Sequence, residues 1–135
     1  MAGRKAGKVK ILVPVKWTPI DKTSFGPLPI NPLATTTVAI PSAIPLSARE
    51  ILFYVYIETN GSNEDANEEF RIYTVEGAIE YSHYLQVRGY NQAAWSYNSI
   101  TFWLPITSAR EIKMTSTGIP LTGTTGSQTN AIGYR

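Results

Sequence analysis

The sequence predicts an all-β protein, an antiparallel β-sandwich of jelly-roll type with about eight or nine strands. Three observations carry this expectation. Apolar and polar residues alternate with a period of two in run after run. Nine prolines and a series of Gly and Asn turn signals break those runs at regular intervals. No stretch sustains apolar residues at i, i+3, i+4 and i+7, the stripe an amphipathic helix needs.

The elements follow in chain order. Residues 1–8 read as a basic N-terminal arm and residues 9–135 as a single sandwich domain. From Val9 to Val15 the odd positions (Val9, Ile11, Val13, Val15) are apolar, with Lys8, Lys10 and Lys16 marking the other face. Residues 18–33 hold Pro19, Pro27, Pro29 and Pro32 and are expected to run as an extended loop. Ala34 to Ile40 is rich in Thr and Val and reads as a strand ended by Pro41. Glu50 to Glu58 has Ile51, Phe53, Val55 and Ile57 on one face and Leu52, Tyr54 and Tyr56 on the other, before an Asn60-Gly61 turn.

Phe70 to Val75 returns, with Phe70 and Ile72 opposite Tyr73 and Val75. Ile79 to Val87 sets Ile79, Tyr81, His83, Leu85 and Val87 against Glu80, Ser82, Tyr84 and Gln86. Arg88 to Ser99 loses the alternation and contains Gly89, so a loop is expected there. Ile100, Phe102, Leu104 and Ile106 form another core stripe, opposite Thr101 and Trp103. Glu111 to Thr115 and Thr129 to Tyr134 are shorter strands. Two of the strand entries echo each other: Pro45-Leu46-Ser47-Ala48-Arg49-Glu50-Ile51 is answered by Pro105-Ile106-Thr107-Ser108-Ala109-Arg110-Glu111-Ile112. The echo is too short for a solenoid or propeller repeat and reads as one way of entering a strand used twice.

Composition narrows the function classes. The chain is 43% hydrophobic and 16% charged, below the charge content of about 25% usual for soluble domains. Less of its surface is protected by charge, which leans toward an oligomer. With no cysteine, disulfides, thiol catalysis and Cys-based zinc sites are excluded together. No apolar run approaches the ~18 residues of a membrane span, so no membrane insertion is expected. The basic start lacks the apolar stretch of a signal peptide, which leaves the compartment unknown and an extracellular role open. The net charge is only +2, but Arg4, Lys5, Lys8 and Lys10 gather positive charge at one end. That arm is a solubilising terminus or a contact for nucleic acid.

The second face of the strands needs its own explanation. In a monomeric sandwich it should be polar. Here it carries Leu52, Tyr54, Tyr56, Tyr73, Tyr84 and Trp103, with Val75. Burying one large aromatic is worth roughly 1.5–3 kcal/mol, so leaving several wet forgoes substantial stabilisation. These six residues are the expected homo-oligomer interface. A second layer from residues 18–33, with Phe25, Leu28 and Ile30, is the alternative cover, and a ligand platform is the third. In length, aromatic sheet face and terminal strand Thr129–Arg135, the chain resembles the trimeric jelly-roll heads of complement-type and tumour-necrosis-factor-like proteins, and the sandwich lectins of invertebrates. The resemblance is architectural, spans most of the chain and matches no family motif; it implies a trimer packed through an aromatic sheet face.

The densest polar–aromatic constellation runs from Tyr81 to Ser99. Its candidate ligand-binding residues are Arg88, Tyr90, Asn91, Gln92, Trp95, Tyr97 and Asn98. Sugars are bound by such sets: a flat ring covers the apolar C–H face while amides and guanidinium meet the hydroxyls. The competing reading has Trp95 and Tyr97 anchoring the loop and the amides bonding turn backbone. His83, the only histidine, falls on the core face and reads as a hydrogen-bonded core or interface residue. No nucleophile elbow is present, and no catalytic residue is assigned. The oxygen-rich Glu58–Glu69 loop is a conceivable calcium site, but its spacing fits no EF-hand and a solvated acidic loop is favoured. Asn60-Gly61-Ser62 is a glycosylation sequon, relevant only in the secretory pathway.

These readings converge on a non-enzymatic, lectin-like oligomer, trimer favoured, with a glycan or glycoprotein as partner and no cofactor. The alternative is a self-assembling structural protein, capsid-like or a filament subunit, whose basic arm meets nucleic acid or a neighbour.

Overall fold

A computed structural model of the chain describes Gly3, Gly7 and residues 16–26, 34–60, 67–88, 95–117 and 127–135. Eight strands lie among these: β1 (Thr18–Ser24), β2 (Thr35–Ala39), β3 (Glu50–Asn60), β4 (Asn67–Glu76), β5 (Ile79–Arg88), β6 (Trp95–Pro105), β7 (Glu111–Thr117) and β8 (Gln128–Tyr134). They form two antiparallel sheets of four, ordered β1-β8-β3-β6 and β2-β7-β4-β5. This is the wiring of a jelly roll, in which successive strands, apart from the β4–β5 pair, cross between two facing sheets. The expected strand over Val9–Val15 lies outside the described residues.

Alternation explains the packing. Ile51, Phe53, Val55 and Ile57 of β3 are fully buried, and they face Phe70 and Ile72 of β4 and Ile112 and Met114 of β7. Phe102 and Leu104 of β6 complete the layer. Phe53 is its centre, edge-on to Phe25 at 4.9 Å and stacked on Phe102 at 5.9 Å. The β4–β5 hairpin closes through Gly77, whose φ of 60° suits the first position of a two-residue primed turn.

Four expectations needed correction. Residues 18–24 form β1 instead of a loop. Pro19 is tolerated because β1 is an edge strand, where a missing N–H breaks no ladder, and the pairing with β8 slips between Pro19 and Thr23. Phe25, a candidate for covering the outer sheet face, instead enters the core and is fully buried; Leu28 and Ile30 lie outside the described residues. Residues 95–99 continue β6 in register with β3, from Asn60↔Trp95 to Tyr56↔Ser99, where a loop was expected. At the start of β5, Ile79 is 57% exposed although it shares parity with buried Leu85 and Val87. The strand ends its sheet, so inward positions beside the Gly77 turn lie at the rim of the sandwich.

That edge is managed by side chains. β5 and β6 end their respective sheets and would present unpaired backbone groups to solvent. His83 of β5 stacks on Phe102 at 4.1 Å and donates from Nε2 to the Trp103 carbonyl at 3.2 Å. Because a carbonyl only accepts, that bond assigns the proton to Nε2. Asn98 of β6 donates to the Gln86 carbonyl at 2.8 Å, bridging the same edge in the opposite direction.

Candidate functional site

The outer face of the β1-β8-β3-β6 sheet carries the densest group of partly exposed aromatics. On β3, Leu52, Tyr54 and Tyr56 point outward and are half-buried, while their odd-numbered neighbours fill the core. Register places Leu52 beside Trp103, Tyr54 beside Thr101 and Tyr56 beside Ser99 of β6. On β8, Gln128 and Asn130 flank Tyr56 and Tyr54. A bulge then skips Ile132, so Gly133 pairs with Leu52 on this face and Tyr134 turns toward the core.

Gly133 seats a further aromatic. A Cβ at Gly133 would overlap the Trp17 ring, so only glycine lets that ring approach β8 so closely. From there Trp17 meets Trp103 edge-on at 6.2 Å and remains 46% exposed. Arg135 covers the Trp103 ring at 4.3 Å and is held by Glu50 at 2.5 Å. The other end of the face is Tyr56 stacked with Tyr97 at 6.0 Å and 25°. The Tyr56 hydroxyl donates to Glu58 at 2.8 Å, and this bond raises the Tyr56 pKa above 10.0 by favouring the protonated phenol. Tyr97 is 71% exposed.

The fold does not bring the six expected interface residues together. Leu52, Tyr54, Tyr56 and Trp103 share the face just described, whereas Tyr73 and Tyr84 lie on the outer face of the other sheet. Strand parity puts all six on an outer face but does not say which sheet each strand joins. Tyr73 is only 7% exposed, because the Arg71 guanidinium lies 4.2 Å above its ring. Arg71 also pairs with Glu80 at 3.3 Å, and Tyr84 is half exposed beside it. The second face is therefore tied down by a cross-strand polar cluster.

Of the seven expected ligand residues, Arg88, Trp95, Tyr97 and Asn98 lie in the described strands. Tyr90, Asn91 and Gln92 lie outside the described residues; Arg88 closes β5 and Trp95 opens β6. Asn98 spends its amide on Gln86 and accepts from the Ser99 backbone N–H at 2.8 Å, a strand-bridging role. Tyr97 presents an open ring, against Tyr56 on the sheet face. Trp17 is the member of this face that the sequence reading missed. Its nearest signal is Gly133, an isolated glycine in a strand pattern, which often marks a close approach.

Among the described residues no group of three His, Cys, Asp or Glu side chains is placed to hold a metal ion. In the Glu58–Glu69 segment, Glu58 binds Tyr56 and Glu69 accepts from Gln86 at 3.1 Å, while residues 61–66 lie outside the described residues. No helix among the described residues is long and apolar enough to cross a membrane. No protein-family model matches the chain, and no curated protein is significantly similar to it.

Proposed function

We propose that the protein is a non-enzymatic subunit that self-associates through the outer face of β1-β8-β3-β6 and binds glycans, with a trimer as the favoured assembly. One observation carries the reading: Trp17, Leu52, Tyr54, Tyr56 and Trp103 lie on one sheet face, which Tyr97 of the edge strand β6 ends. Large aromatics in contact with one another gain most when a partner covers them, and Tyr hydroxyls keep hydrogen bonds across such an interface. A closed ring of subunits would bury the face symmetrically without leaving a second sticky surface. The glycan part rests on Tyr97, an open ring on the edge strand β6, at the end of the face that the subunits leave uncovered. Several weak sites on one oligomer act together through avidity.

Size-exclusion chromatography with light scattering tests the assembly, and a glycan array with wild type and Tyr97→Ala tests the binding. A monodisperse monomer rejects the first part; absence of binding to any glycan rejects the second.

A second reading is favoured by the jelly-roll strand order together with the four cations among residues 4–10: a subunit of a large structural shell or filament. It predicts a megadalton particle and salt-sensitive nucleic-acid binding, where the first predicts a particle of a few chains.

A further inference from the structure

The echoed Ser-Ala-Arg-Glu-Ile segments meet at one end of the sandwich. They lead into β3 and β7, both at crossings between the sheets, and the chain there encloses an open cavity of about 370 Å³. Arg49 and Arg110, the equivalent residues of the two segments, both line it, with Glu76, Thr107, Ser108 and Ile106. The volume falls in the range of small-molecule sites, about 300–1,000 Å³.

The polar groups of this cavity are unequally engaged. Both Glu76 oxygens accept from Ser108, from its backbone N–H at 2.6 Å and its hydroxyl at 2.8 Å. Arg110 donates to the Ile44 carbonyl at 2.8 Å and to the Pro45 carbonyl at 3.5 Å, which fixes its guanidinium but cancels none of its charge. Its backbone is left-handed at φ 50°, a conformation that costs a residue with a Cβ and is kept where surrounding contacts enforce it. Arg49 has its backbone N–H and carbonyl bound to Arg135 and Ile106, while its side chain has no ion-pair or hydrogen-bond partner among the described residues. Thr107 is buried beneath them, and its Oγ1, closed to solvent, has no hydrogen-bond partner among the described residues.

From these observations we infer that the cavity is a binding site for a monoanionic, hydroxyl-bearing ligand of the sugar-acid class. Two arginines against one carboxylate leave a single net positive charge, which matches a carboxylate better than a dianionic phosphate. The planar guanidinium fork fits a carboxylate in two-point geometry. The Ser108 oxygen suits a ligand hydroxyl, and Ile106 and Leu46 supply the apolar edge. This site is distinct from the Tyr97 ring; its choice of ligand class rests on the glycan reading above, and its geometry does not depend on self-association.

The test is a titration of the full chain with sodium glucuronate, followed by amide chemical shifts, with methyl glucoside and inorganic phosphate as competitors in kind. Arg49→Gln is the informative variant, because it removes a charge without disturbing the carbonyl anchors that Arg110 serves. Glucuronate is expected to shift the amides of residues 106–110 and to bind at least about tenfold more weakly to Arg49→Gln. Tyr84→Ser, on the outer face of the other sheet and away from the cavity, is expected to leave binding unchanged. Equal binding of methyl glucoside or phosphate, unchanged binding by Arg49→Gln, or no shift at 106–110 overturns the inference. If neutral glycans bind through Tyr97 while glucuronate does not bind here, this inference alone fails; if no glycan binds anywhere, the glycan reading fails with it.

Discussion

Gly133 is the seat of Trp17. The bulge at Ile132 turns Gly133 onto the outer face, and the missing side chain is the space the indole occupies. Gly133→Ala therefore displaces Trp17, and the carbonyl of Thr18 at 3.0 Å from the new Cβ leaves the backbone little room to yield. We expect a loss of about 1–3 kcal/mol in denaturant unfolding, the usual range for overpacking. Tryptophan fluorescence should report a more solvated indole. An unchanged spectrum and midpoint would show that the ring is not held there.

The two outer faces should behave differently. Tyr54→Asp puts a charge in the middle of the aromatic face and is expected to shift the protein to monomer in sedimentation velocity. Tyr84→Ser, on the opposite face, should leave the assembly intact. If Tyr84→Ser dissociates the oligomer and Tyr54→Asp does not, the wrong face has been assigned.

His83 holds the β5–β6 edge by stacking on Phe102 and by its bond to the Trp103 carbonyl. His83→Ala loses both, and we expect destabilisation of about 2–4 kcal/mol from the lost ring packing and the freed carbonyl. His83→Phe keeps a ring and loses the bond, so it should cost less, about 1–2 kcal/mol. Equal losses in the two variants would mean that the hydrogen bond contributes nothing measurable.

Glu76 gives the sandwich end an acid dependence. Hydrogen bonds from Ser108 hold its carboxyl below the ordinary 4.5. The sign follows from linkage: a carboxyl whose folded pKa is depressed stabilises the fold above its unfolded pKa, and the contribution disappears as pH falls through the folded value. Thermal midpoints measured from neutral pH to below 4 should fall more for wild type than for Glu76→Gln. Parallel curves would remove Glu76 from the acid response.

Much of the architecture was legible in the chain. Ile51, Phe53, Val55 and Ile57 announced β3 and its buried face, and Phe70, Ile72, Phe102 and Leu104 announced their strands in the same way, because a period of two survives in any sheet. The errors fell where alternation is weak or the partner matters. β1 hid behind Pro19 and the prolines after it, because only an edge position tolerates a proline. Residues 95–99 hid because their stripe of Trp95, Tyr97 and Ser99 against Ser96 and Asn98 has no apolar–polar contrast.

The candidate site was legible only in part. Leu52, Tyr54 and Tyr56 were read as an outer face from local parity alone, and they are one. Local parity could not reveal that Trp103 lies beside Leu52 while Tyr73 and Tyr84 lie across the sandwich, since sheet membership is set by pairings between residues far apart in sequence. The same holds for Trp17 over Gly133 and for Arg49 beside Arg110, each brought together by strand order. Side-chain alternation determined which residues face inward or outward; hydrogen-bonded pairing between distant strands decided which outward residues share a surface.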